Sequence, residues 1–201
     1  MPLIISHPET NPEIRKVEGE ISAKKEKLAN LISKEPGKII QDYTFLNSDK
    51  SEVKLSELFE DKNELLIVFY MGIQCKYCTL WADNYNGIVK PLSDRCSFVV
   101  TSHESPEKQN EIKQKRNWNF KMISRQNNTF AKDLGFISEA EVDCSGVGDP
   151  MPGIASFIKK EDGIYLHHRS YFGPGDNYCN MWDFTTILPK GINNWEPKYI
   201  Y

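Results

Sequence analysis

Cys75 and Cys78 stand two residues apart in MGIQCKYCTLWADN, where an apolar run gives way to a helix-like segment. Thiols at this spacing can exchange electrons with another thiol or disulfide, hold a metal, or fill a core. Position favours exchange. A helix N-terminus exposes unpaired N–H groups and carries partial positive charge, and both stabilise a thiolate. Only the thiolate attacks a disulfide, and such placement moves a cysteine pKa from ~8.5 to between ~3.5 and ~7.5. The first thiol is expected at the strand's end as nucleophile, and the second about one turn inside the helix, where it resolves the mixed disulfide. Lys76 adds a positive charge beside them. As core residues the pair is oddly flanked, by Gly72, Gln74 and Lys76. Zinc needs four ligands, whereas the other candidates, Cys96, Cys144, Cys179 and His167-His168, are scattered. Adjacent strand residues such as the two histidines also point to opposite faces.

A second feature is Asp149-Pro150-Met151-Pro152-Gly153, directly before an apolar strand from Ile154 to Ile158. Proline at a strand's mouth can hold a cis peptide bond, and a cis-proline at Pro152 would leave the Met151 backbone open to a partner chain. Met151, Pro152, Lys76, Tyr77 and Trp81 are therefore the expected partner-binding residues.

The elements that must position these groups are legible from periodicity and punctuation. The run Leu65 to Met71 reads as a central strand buried on both faces, and its end delivers the cysteines. From Cys78 to about Ile88 the pattern is helical. Residues 11–33 form an N-terminal helix capped by Asn11, with Pro12 in its first turn and Val17, Ile21, Leu28, Leu31 and Ile32 on one face. That stripe calls for packing against the domain. Strands are expected at 43–46, 53–55, 96–101 and 120–124, and helices over 105–116 and 129–134. Ile154 to Ile158 and Ile164 to His168 form a hairpin across Asp162-Gly163. Residues 137–150 show no period and read as a loop, and Asp176 caps a last helix through Met181, Trp182 and Ile187.

Composition sets the frame. The 201 residues carry 25 basic and 28 acidic side chains, so no global field draws the chain to nucleic acid or an anionic bilayer. The longest apolar run, Leu65 to Met71, is far short of the ~20 residues of a membrane span. The N-terminal MPLIISHP lacks a signal-peptide pattern. A cytoplasmic protein is expected, and five cysteines is an odd count for a paired disulfide framework.

CKYCTLWADN, FVVTS, Trp118, FAKDLGF, PGIASF, DGIYLHHRS and DFTTILPKG together resemble an uncharacterised thioredoxin-like family, over most of residues 38–201. The resemblance implies an α/β thioredoxin-like fold with CxxC facing the proline before the hairpin, and a redox role. Departures from thioredoxin are specific. Gln74 stands before the pair, Lys76-Tyr77 fills it, and Phe69 replaces the buried acid six positions before the first cysteine. Residues 105–136 are similar to a peroxiredoxin-style insertion, but the threonine and proline of the peroxiredoxin motif correspond here to Gly72 and Val68, and Arg169 is the one candidate cation.

Trp81 is expected to pack beneath the thiols rather than act as a lid. Asp83 reads as a solvated carboxylate more readily than as a proton acceptor for Cys78, and His103 as a loop residue without a partner. His167, His168 and Arg169 fit a polar edge strand, and Cys144 stays outside the proposed chemistry. The expected protein is one thioredoxin-like domain, residues 38–201, with a central mixed sheet, flanking helices and a helical extension over residues 1–37. Its expected activity is thiol–disulfide exchange with a redox protein or small thiol, needing no cofactor. A peroxiredoxin-like thiol peroxidase and a non-enzymatic thioredoxin-fold binding domain are the alternatives.

Overall fold

The computed structural model describes residues 6–142 and 148–201; Cys144 lies outside them. The chain forms two compact units, Met1–Gly37 and Lys38–Tyr201. The first is built on α1 (Pro12–Ile32), with the Asn11 side chain accepting the Glu13 N–H at 2.8 Å and proline in the first turn. Its apolar positions Ile14, Val17, Ile21, Leu28 and Leu31 are all exposed.

The second unit contains β1 (Lys38–Ile40), β2 (Thr44–Leu46), β3 (Glu52–Lys54), β4 (Glu64–Phe69), β5 (Ser97–Ser102), β6 (Lys121–Ser124), β7 (Ile137–Val142), β8 (Gly148–Pro150), β9 (Gly153–Lys160) and β10 (Gly163–Tyr171). Eight of these make one mixed sheet in the order β1-β10-β9-β4-β5-β6-β2-β3. Among the described residues five α-helices accompany them: α2 (Lys76–Tyr85), α3 (Val89–Arg95), α4 (Pro106–Lys115), α5 (Phe130–Asp133) and α6 (Met181–Thr186).

β4 is the sheet's central element, parallel to β5 and antiparallel to β9. Its side chains alternate between two cores, as period-2 geometry requires. Leu65, Ile67 and Phe69 enter one apolar cluster, while Leu66, Val68 and the following Tyr70 enter the other. α2 closes the second cluster with Cys78, Trp81, Ala82 and Tyr85, one stripe at helical spacing. The register pairs Phe69 with Gly153. That pairing sets Pro152 just past the end of β4, where the chain turns toward Cys75. A side chain at Gly153 would meet the Ser170 carbonyl oxygen at 2.4 Å and Phe136 at 2.5 Å, so only glycine admits this approach.

Four expectations are corrected. Among the described residues no peptide bond is cis, so Met151–Pro152 is trans; trans is the lower-energy form even before proline. Residues 137–150 are not simply a loop, because β7 pairs antiparallel with β8 through Ile137 and Pro150. This ribbon is separate from the main sheet, and the apolar alternation that reveals strands is written only where one face meets a core. Asp176 does not cap the last helix, which starts after Asn180 and ends at Thr186. Its carboxylate instead accepts the N–H groups of Gly173 and Tyr178, closing a local turn. Finally, the helix expected from Cys78 to about Ile88 ends at Tyr85, and a separate helix that the periodicity did not mark, α3, follows it with Pro91 tolerated in its first turn.

Candidate functional site

Cys75 is the N-cap of α2, and its Sγ accepts the Cys78 backbone N–H at 3.1 Å. The turn that places it begins at Gly72, whose φ of +127° is open to glycine and strained for other residues. The Gly72 carbonyl accepts the Cys75 N–H at 3.1 Å. Glu104, just after β5, holds the loop from the far side by accepting the Ile73 N–H at 3.0 Å. Inside the helix, Thr79 Oγ1 donates to the Cys75 carbonyl at 3.0 Å, and the buried Tyr70 hydroxyl lies 3.3 Å from the same Oγ1. The backbone around Cys75 is thus fixed on three sides.

The two thiols are made unequal by their surroundings. Cys75 is half-buried, whereas Cys78 is buried. A hydrogen bond from the Cys78 side chain brings the Cys75 pKa down to about 7; partial burial opposes this, and the N–H groups of Cys78 and Tyr77 assist it. Cys78 is pushed well above the ordinary thiol value, first by its hydrogen bond to Cys75, then by burial and by the neighbouring negative charge. Lys76, expected to favour the thiolate, instead pairs with Glu196.

Pro152 and Cys78 line one small cavity of about 10 Å³ with Trp81 and Tyr85, roughly the room that one water needs. The sheet therefore brings Pro152 close to Cys78, through a trans bond. The Met151 N–H donates to the Phe136 carbonyl at 2.8 Å, and the Pro152 carbonyl accepts from Phe172 N–H at 2.9 Å. Trp81 is 2% exposed, packs on Phe172 at 5.2 Å and donates its Nε1–H to Asp176 at 3.3 Å, so it lies beneath the thiols rather than over them. Tyr77 forms a triangle with Trp81 and Trp182, its ring centre 6.3 and 6.4 Å from theirs.

Other candidates are engaged elsewhere. Asp83 is partly exposed and engaged away from Cys78: it accepts from Arg116 and, at 2.8 Å, from the buried indole N–H of Trp118. Asp83→Ala takes the acceptor from the buried Trp118 indole N–H and leaves Arg116 only its bond to the Tyr199 carbonyl, and is expected to cost about 2–4 kcal/mol in urea denaturation. Arg169 donates to the Leu134 carbonyl at 2.6 Å, binding the end of α5. His103 is exposed, as expected of a loop residue, and desolvation of its ring and then Arg125 lower its pKa. Among the described residues Cys75, Cys78, Cys96 and Cys179 are free thiols, and no three His, Cys, Asp or Glu side chains are grouped to hold a metal.

Sequence reasoning missed Glu104, Asp176 and the tail residues Glu196 and Tyr199 as neighbours of the site. Only Asp176, in the turn-forming GPGDN, carried a local signal.

The fold is similar to that of peroxiredoxin-like members of the thioredoxin folds. Peroxidoxin BcpB from Mycobacterium tuberculosis matches at a TM-score of 0.55 and 20% identity, over 68% of this chain and 85% of that one. Peroxiredoxin Q from Xanthomonas campestris matches at 0.56 and 13%, over 68% and 86%. A peroxiredoxin-like protein from Aquifex aeolicus matches at 0.51 and 13%, over 67% and 74%. At these identities the likeness is one of fold. Comparison with curated proteins finds no match. Residues 11–200 match the family described as "Bacterial protein of unknown function (DUF899)", and the chain belongs to that family.

Proposed function

We propose that the protein is a thiol–disulfide oxidoreductase in which Cys75 attacks a disulfide and Cys78 resolves the mixed disulfide. The observation that carries this reading is the Cys75 sulfur at the α2 N-cap, receiving the Cys78 N–H and half open to solvent. The buried companion stays protonated until its turn, which keeps the two roles apart. Lys76 and Tyr77, with Met151 and Pro152 across the sheet, form the surroundings that a partner would meet, whereas Trp81, expected among them, is buried beneath the thiols. The partner is a redox protein or small thiol, and the exchange needs no cofactor. A cytosolic setting suits a chain whose chemistry requires reduced thiols, and no helix among the described residues is long and apolar enough to cross a membrane.

The peroxidase alternative meets a specific obstacle. Gly72 occupies the position of the peroxiredoxin threonine, and its φ of +127° is a backbone conformation in which a threonine would be strained. Arg169, the candidate cation, is bound to Leu134.

The test is a thiolate titration followed at 240 nm, with iodoacetamide alkylation read alongside. Cys75 has a pKa lowered to about 7, so its thiolate population and alkylation rate rise as pH increases through 7. The rate is expected to level off above pH ~8.5, where an ordinary thiol is only half ionised. A single step between pH ~8.5 and ~9.5 would remove the proposal.

A further inference from the structure

The segment after Trp195 crosses the loop that delivers the nucleophile and is fastened on both sides of it. Trp195 is half-buried against the apolar cluster that holds α2, and Pro197 is buried. Between them Glu196 pairs with Lys76, the residue after Cys75. Tyr199 donates its hydroxyl to the carbonyl of Gln74, the residue before Cys75, and its own carbonyl accepts from Arg116. Tyr199 and Ile200 then roof a cavity of about 220 Å³ whose walls include Ile73, Thr79 and Ile112.

A folded protein presenting a disulfide needs open surface around the attacking sulfur and, in strand-like docking, free backbone groups beside it. Here one flank is occupied by residues 195–200, and Tyr77 and Trp182 stand together at the start of α2. Two backbone groups at Met151 and Pro152 are already bonded within the chain. A small disulfide needs none of these. Its reacting sulfur has only to reach the half-exposed Cys75.

We infer that residues 195–201 form a strap that restricts Cys75 to low-molecular-weight disulfides and excludes folded-protein disulfides while it is fastened. The inference rests on the exchange reading above. In the reaction the Cys75 thiolate bonds to one sulfur of the small disulfide, the S–S bond breaks, and one alkylthiolate leaves and takes a proton from solvent. Cys78 then loses its proton to solvent and attacks Cys75 Sγ, releasing the second alkylthiolate. The protein dithiol is oxidised by two electrons, and one disulfide is reduced to two thiols. The fastenings are surface contacts, of the kind that open locally at low cost.

The experiment compares the full reduced chain with a Glu196→Gln/Tyr199→Phe double variant, using 2-hydroxyethyl disulfide as the small probe and insulin as the protein disulfide. The variant is expected to reduce insulin about tenfold faster while its rate on the small probe changes less than about twofold, because only access for a bulky partner is altered. An unchanged insulin rate, or equal gains on both substrates, overturns the strap and leaves the exchange chemistry standing. Wild-type protein that reacts with neither probe removes the exchange reading and the strap together. If the double variant does not fold, Tyr199→Phe alone, lacking one hydroxyl, is read in the same way with a smaller gain on insulin.

Discussion

Cys75→Ser is expected to bring disulfide reduction down to the uncatalysed background, a loss of at least about a thousandfold, because a serine hydroxyl at neutral pH supplies essentially no anion to attack sulfur. Cys78→Ser behaves differently. Its Cys75 thiolate can still attack, but the mixed disulfide has no neighbouring thiol to break it and accumulates as a covalent adduct, visible by mass spectrometry at one equivalent of probe. The Cys78→Ser nucleophile should also be a stronger acid or a weaker one according to what replaces the Cys78 side-chain hydrogen bond, which is the largest influence lowering the Cys75 pKa. A serine hydroxyl able to donate at that place keeps the value low, whereas Cys78→Ala loses that influence and retains only the backbone N–H groups. Comparing the 240 nm titrations of the two variants separates the companion thiol from the helix terminus. If Cys75→Ser retains wild-type turnover, the assignment of the nucleophile is wrong.

The second large effect concerns stability. Phe130 is fully buried and lies at the meeting point of Tyr43, Phe45, Phe69 and Phe157, with ring centres 4.9, 5.0, 5.4 and 5.9 Å away. Phe130→Ala removes its dispersion contacts and leaves a cavity that four rigid rings cannot close, at a cost of about 3–5 kcal/mol. Native domains are stable by only about 5–15 kcal/mol, so the variant should unfold at much lower urea concentration. Phe184→Ala is the matched control, because Phe184 is 62% exposed; its midpoint should shift by no more than the equivalent of about 0.5 kcal/mol. The same aromatic group fills the place of the acid that thioredoxins bury, here on the face of β4 opposite to Cys78. Phe69 stacks on Phe136 at 3.8 Å with planes 12° apart, and a charged group in that place would be desolvated without a partner. The proton of Cys78 therefore has no acid–base relay at residue 69.

Much of the scaffold was legible along the chain. The unbroken apolar run Leu65 to Met71 announced a strand buried on both faces, and β4 does feed two cores. Asn11-Pro12 and Ser105-Pro106 announced helix starts, because a capping oxygen and a proline are local stereochemistry that acts wherever the chain goes. Asp162-Gly163 announced the hairpin for the same reason, and the placement of two thiols at a strand-to-helix turn needed nothing but spacing. Short or polar pieces were not legible. β1 spans three residues, and the β7–β8 ribbon lies outside the main sheet, so neither wrote a strong period into the sequence.

What the sequence alone determined about this protein is the pair of thiols, the helix that caps the first of them and the strand that carries both, since each depends on neighbours a few residues away. What only the tertiary structure decided is the company those thiols keep. The trans Pro152 beside Cys78, Glu104 on the Ile73 N–H, Asp83 bound to Arg116 and Trp118, and Glu196 drawn to Lys76 all join residues 31 to 120 positions apart. The physical reason is that polar partners at such separations are chosen by where the packed sheet and helices bring them. A charge such as Lys76 or Asp83 carries no local mark of the partner it will find.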